Sequence, residues 1–263
     1  MFGVFTYVKN ALFHKKSPVQ VLSRTQTKHK IIDKISPVLE QQGFVLRKGN
    51  IFWRVNENKT DVIELRFVNL RDHQKTTVSR RVFSIYFGCY FHYIPDLYDR
   101  KSIYVLPNKI TPLEEFCHYR NSAKRTVKQK LIDANIWHLD ETPEFQKIIL
   151  DDLAVQVSSE ISAKFNLFND VSKWLVFLES DEPNIGSGTT GSMMRYYLLG
   201  FTYIKLNKLK SAKECLIKAK ELYEIQRQLI KKHIKINSPG APLDTQIRII
   251  DDYLHKLNLQ NTF

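Results

Sequence analysis

Phe83-Ser84-Ile85-Tyr86-Phe87-Gly88-Cys89-Tyr90-Phe91-His92 is the stretch on which the fold turns. Successive side chains of a β-strand leave opposite faces. Phe83, Ile85, Phe87, Cys89 and Phe91 therefore share a dry face, and Ser84, Tyr86, Gly88, Tyr90 and His92 an amphipathic one, as in a central strand. Two upstream runs alternate in the same way. Ile51, Trp53 and Val55 interleave with Phe52, Arg54 and Asn56, and Ile63, Leu65 and Phe67 with Glu64, Arg66 and Val68. Short linkers around Asn58-Lys59 and from His73 to Thr77 predict hairpins, hence an antiparallel sheet. A fourth short strand is expected over residues 102–106.

On the N-terminal side the period becomes helical. Ile31, Ile32, Ile35, Val38 and Leu39 share one face of residues 25–42, with Gly43 placed to end the helix and Pro37 to kink or start it. Residues 1–24 read as an N-terminal extension, with Phe2, Phe5, Val8, Leu12 and Phe13 at the spacing of a short amphipathic helix that docks on the body. After Pro112 the helical period returns. Phe145, Ile149, Leu153, Val157 and Ile161 form one stripe, and Phe168, Val171, Leu175 and Leu178 another around Trp174. Residues 183–192 are the one Gly/Ser-rich segment, and only helices are expected beyond it. The chain thus divides into an α+β domain over 25–182, a loop over 183–192 and a helical subdomain over 193–263, the sheet having about four strands.

The 263 residues carry 40 Lys+Arg against 27 Asp+Glu, a formal charge of +13, and their 43% hydrophobic content excludes a disordered chain. The longest mid-chain stretch without charge, residues 82–95, is shorter than the ~20 residues of a membrane helix. The N-terminus lacks a basic start and a small-residue cleavage site, so it does not read as a secretion signal. Cys89, Cys117 and Cys215 are too few and scattered for a disulfide framework, which favours a reducing, cytoplasmic setting.

Leu39…Gly43-Phe44, Phe52-Trp53-Arg54, residues 83–91, Cys117-His118-Tyr119-Arg120 as a helix start, Trp137-His138-Leu139-Asp140 as a turn, and Phe168…Trp174 occur in one order. On these elements the region of about residues 28–180 resembles the bacterial domain of unknown function 4304 family. The resemblance implies a compact α+β fold and no established activity. Tyr196, Leu199, Gly200, Tyr203, Ala212, Leu216 and Ala219, with Asn207 at the turn, make residues 193–224 similar to a single tetratricopeptide repeat. Glu224 stands where the terminal proline is usual, so the second helix is expected to run on through Ile225 and Leu229. A lone unit needs a cap, and Ile247, Ile250, Leu254 and Leu257 suit one.

Candidate chemistry is sparse. Cys89, His92, Cys117 and His118 are zinc-ligand types, but residues three apart on a strand leave opposite faces, so no metal and no cofactor is expected. Gly186 and Gly191 stand at phosphate-loop spacing without the lysine that should follow, which makes the segment a linker. Asp61 with Glu64 and Arg66 is similar to the carboxylate sets of metal-dependent hydrolases, against which Glu64 and Arg66 read as a solvated cross-strand ion pair. Asp151-Asp152 and Asp251-Asp252 diverge by about 100° on helices and read as exposed faces.

The expectation is a non-catalytic protein-interaction module of the bacterial cytoplasm, binding a protein partner of acidic character. Its candidate binding residues are Tyr86, Tyr90, His92, Arg120, Tyr196 and Tyr203, aromatic or polar-tipped side chains favoured at recognition surfaces. The first alternative is a basic nucleic-acid-associated protein using Lys124, Arg125, Lys128, Lys130, Lys205 and Lys208, backed by Lys210, Lys213 and the lysines beyond. A toxin-neutralising or phage-defence accessory role and a metal-dependent hydrolase around Asp61 and Glu64 complete the set. The oligomeric state is left open.

Overall fold

The computed structural model describes residues 18–47, 49–67, 82–96, 117–129, 133–180, 191–233 and 242–260. The protein is α+β. Its sheet is antiparallel, with strands in chain order: β1 (Val45–Arg47), β2 (Ile51–Val55), β3 (Lys59–Phe67), β4 (Phe83–Phe91) and β5 (Tyr119–Ser122). Register Phe52↔Ile63↔Phe87 gathers Phe52, Ile63, Leu65, Ile85, Phe87 and Phe91 on one buried face. Five strands are thus described where about four were expected. The strand proposed at 102–106 and the linker at 73–77 lie outside the described residues, and β1 and β5 are additions.

β5 overturns the reading of Cys117 as a helix start. Tyr119 pairs with Cys89 and Ser122 with Tyr86, so four residues too few to show a period are held extended by the edge of β4. Gly88 is required there. A Cβ on it would lie 2.6 Å from both Cys117 Cβ and the Tyr119 carbonyl oxygen, inside the contact limit.

Helix α1 (Arg24–Gln41) starts at Ser23 in a capping box, Ser23 Oγ accepting from Gln26 N–H at 3.2 Å and Gln26 Oε1 from Ser23 N–H at 2.8 Å. It ends in a Schellman motif. Phe44 N–H donates to the Leu39 carbonyl and Gly43 N–H to that of Glu40, with Gly43 at φ +83°. Pro37 neither starts nor ends the helix; it sits inside it on the exposed side, where one main-chain bond is forgone. Ile31, Ile35 and Leu39 face the sheet.

Helix α2 (Pro143–Val155), capped by Thr142, continues through a π turn over Gln156–Ile161 into α3 (Ser162–Leu167). Every fourth residue gains about 40° on a full α-turn, so a strict four-residue stripe drifts round an α-helix. The wider π turn winds it back, which keeps Ile149, Leu153, Val157, Ile161 and Phe165 all buried. Helix α4 (Val171–Glu179) follows, with Trp174 stacked on Phe91 at 4.5 Å.

The C-terminal part is helical: α5 (Gly191–Lys205), α6 (Leu209–His233) and α7 (Pro242–Gln260). Of the expected 183–192 loop, Gly191 and Ser192 already belong to α5, and the rest lies outside the described residues. Helix α6 runs past Glu224, as expected, and Ile247, Ile250 and Leu257 of α7 are buried. Asn207 makes the α5–α6 turn at φ +54°. One continuous apolar cluster joins the sheet's covered face, helices α1–α4 and the three C-terminal helices. No described helix is long and apolar enough to cross a membrane.

Candidate functional site

The tyrosine-bearing sheet face was the first candidate surface, and its middle is covered. Val62 and Ser84 have no exposure and Tyr90 only 9%, its hydroxyl donating to Asp96 Oδ1 at 2.6 Å and its ring stacked on His118 at 5.0 Å. Tyr86 is half-buried under the Arg66 guanidinium at 4.9 Å, and Arg120 is half-buried opposite Gly88. His92 alone stands exposed. Its Nδ1–H donates to the Glu57 carbonyl at 3.2 Å, leaving Nε2 to accept from the Thr60 hydroxyl at 2.9 Å.

The hydrolase candidates separate. Asp61 and Glu64 leave opposite faces of β3, so their carboxylates cannot share a metal. Glu64 pairs with Arg66 at 2.8 Å two residues along the same strand, which corrects the expected cross-strand pair. Asp61 is wholly buried in a network that the sequence reading missed. It accepts from Arg54 Nε at 3.0 Å, with Arg54 Nη2 ion-paired at 2.9 Å, from Asn56 Nδ2 at 3.1 Å, and from Lys59 Nζ. Aromatic rings close the cluster, with Phe44 4.7 Å beneath the Arg54 guanidinium and Phe165 5.5 Å from Lys59 Nζ. Cys89 donates to Asp61 at 3.4 Å. Burial first, then the Asp61 carboxylate, pushes this thiol well above its ordinary value, so it is a proton donor and not a nucleophile.

Cys117 packs against Gly88, and His118 Nδ1 accepts from the Phe91 N–H at 3.0 Å. Among the described residues no three His, Cys, Asp or Glu side chains are grouped to hold a metal ion.

The basic set after β5 divides. Arg125 is structural, donating to the carbonyls of Asp133 and, at 2.6 Å, Ile136. Lys124 and Lys128 are exposed, and Lys130 lies outside the described residues. Asp152, expected on an exposed face, is instead buried and accepts from the Thr126 amide and hydroxyl; Asp151 does face solvent, paired with Lys34 at 2.5 Å.

Helix α5 is held along α4. Arg195 donates to the carbonyls of Leu178 and Glu179 at 2.7 Å, and the Tyr203 hydroxyl donates to Glu179 Oε1 at 2.5 Å. Burial and that carboxylate raise the Tyr203 phenol above its usual range. Tyr196 is half-buried as well.

The end of the hairpin differs from its length. Lys205, Lys208, Lys210 and Lys213 crowd the α5–α6 turn, and none forms an ion pair with a described carboxylate. Lys205 Nζ lies 6.0 Å from the Tyr93 ring and Lys208 Nζ 5.9 Å from that of Tyr203. Farther along α6 the cations are matched: Lys218 with Glu221 at 3.1 Å, Lys220 with Asp251 at 2.6 Å, and Arg227 with Asp244 at 3.0 Å. Ile217, one turn beyond Lys213, is 41% exposed.

No known protein family, curated protein or solved structure matches the chain.

Proposed function

We propose that the protein is a non-catalytic, cytoplasmic interaction module that docks an acidic partner protein on the α5–α6 end of its helical part. The single observation behind this is the contrast along α6. Carboxylates match the lysines of its middle, whereas the four at the turn pair with no described carboxylate and stand beside exposed Ile217. Unmatched cations around an apolar residue suit a complementary acidic surface, which would gain in association rate and in specificity. The hairpin with its α7 cap acts as a tetratricopeptide-like support, with Arg195 and Tyr203 spent on α4, so binding falls to the turn end. The sealed Asp61 network supports a non-catalytic reading, because its donors and acceptors are spent on one another.

Tagged full-length chain and a Lys205→Gln/Lys208→Gln/Lys210→Gln/Lys213→Gln variant, captured from nuclease-treated native extract, test this. A stoichiometric acidic protein retained by the parent chain and lost from the variant is expected. Material that nuclease removes, and whose binding falls steeply with added salt, would replace this reading with the nucleic-acid one.

A further inference from the structure

A second surface, far from the hairpin in sequence, carries an independent inference. A cleft of about 470 Å³ opens where the first turns of α1 meet the ends of β2 and β3. Small-ligand sites span about 300–1,000 Å³. Three cations line it: Arg24 and Lys28 from α1, and Arg66 from β3. Leu65 and Phe67 supply an apolar wall, and Asn50 a polar one whose amide group is anchored on the Leu65 carbonyl at 3.1 Å.

Arg24 and Lys28 form no ion pair with a described carboxylate. The Arg24 guanidinium lies 4.7 Å from the Phe67 ring centroid, which orients its donor edge while leaving the charge uncompensated. Lys28 Nζ lies 3.1 Å from where a Cβ on residue 49 would stand, so Gly49 leaves room for the ammonium group. Arg66 is bridged to Glu64 at 2.8 Å. The Arg66 guanidinium turns to the other face of β3, over Tyr86, so among the described residues Arg24 and Lys28 bring two formal positive charges to the cleft. The first turn of α1 contains no acidic residue, so Arg24 also stands against the field of its own helix. An arrangement that local electrostatics disfavours is expected where a ligand compensates it.

We infer that this cleft binds a small phosphate monoester. The dianion, of charge about −1.5 to −2 near neutrality, balances the two uncompensated cations, which a carboxylate would not. The planar guanidinium of Arg24 suits two phosphate oxygens at once, Lys28 supplies a point charge, and the organic part of the ester lies on half-buried Phe67.

The full-length chain is titrated with inorganic phosphate, then with glycerol phosphate, glucose 6-phosphate and AMP, with acetate at matched ionic strength as control, reading heat and Tm. Saturable phosphate binding in the millimolar range or tighter is expected. It should weaken by ~10-fold or more in Arg24→Gln/Lys28→Gln, and at least one ester should bind more tightly than the free ion. Both side chains sit on the outer side of α1, and the single Lys28→Gln variant serves if the double variant does not fold. Lys210→Gln/Lys213→Gln should bind phosphate as the parent does, which separates this site from the partner surface. The inference is overturned by no phosphate binding up to about 10 mM, by equal binding of acetate, by unchanged affinity in the α1 variants, or by a loss in Lys210→Gln/Lys213→Gln.

Discussion

Lys59 and Asp61, two residues apart on β3, point to the same side of the sheet and form an ion pair in which neither side chain is more than 1% exposed. Asp61 also holds Arg54, so one carboxylate serves two cations. The two partners are therefore unequal. Asp61→Asn leaves Lys59 buried without a counter-charge and should destabilise by ~3–5 kcal/mol in urea unfolding. Lys59→Met keeps the volume, and Asp61 retains Arg54 and Asn56, so the loss should be under about 1 kcal/mol. Equal losses for the two variants would show that the pair, and not the carboxylate, organises the network.

Gly200 brings α5 against α6. A Cβ there would lie 2.5 Å from Leu216 Cδ2, and Leu216 is fully buried. Alanine gains about 1 kcal/mol of helix propensity over glycine, yet overpacking costs about 1–3 kcal/mol. Gly200→Ala should lower Tm, and Leu216→Ala should cost less in that background than in the parent. A higher Tm for Gly200→Ala would mean that the helices separate easily.

Asn207 is the one described non-glycine residue at positive φ, +54°. Asn207→Gly should leave stability within about 0.5 kcal/mol, whereas Asn207→Val should lose ~1–2 kcal/mol. Chemical denaturation at one pH checks both, and an unaffected valine variant would place the turn elsewhere.

His138 is 4% exposed, and neither ring nitrogen has a described hydrogen-bond partner. Burial lowers its affinity for a proton below the ordinary histidine value, outweighing Glu141 at 3.6 Å and the nearby Asp140. In the unfolded chain the ring titrates near ~6.5. As pH falls through that value the unfolded state takes up a proton first, so stability declines until the lower folded-state value is passed. The Tm difference between the parent and His138→Gln should therefore shrink from pH about 7.5 to about 5.5. A difference that stays constant would show that burial does not shift the ring's titration, and one that grows toward low pH that the ring is protonated in the fold.

The central strand, its antiparallel neighbours and the helix before them were legible because their signals are local. Phe83 to Phe91 alternate with period two, Ile31, Ile35 and Leu39 recur at helical spacing, and Gly43 stands where a left-handed residue is needed. β5 was not legible, since its extended form comes from Cys89 and Tyr86 across the ladder and not from its own residues. The covering of Tyr90 was hidden for a similar reason: period separates two faces but does not say how much of each stays open.

The lysines of the α5–α6 turn could be read directly, but not which of them have partners, because Lys220 meets Asp251 and Arg227 meets Asp244 only once α7 has packed on α6. Arg24 and Lys28 gave one faint signal, two cations a helical turn apart at a helix start without an acid.

By itself the sequence determined the type of most elements, the antiparallel order of the central strands and the basic excess, all properties of spacing and composition that neighbouring residues enforce. Tertiary structure alone decided which face of β2 is dry. The more apolar alternating set there is Ile51, Trp53 and Val55, yet the fold buries Phe52 toward the main core, which carries Arg54 onto Asp61. It also decided that Arg24 and Phe67, distant in the chain, meet at one cleft, because contact across space depends on register and docking, which no local period records.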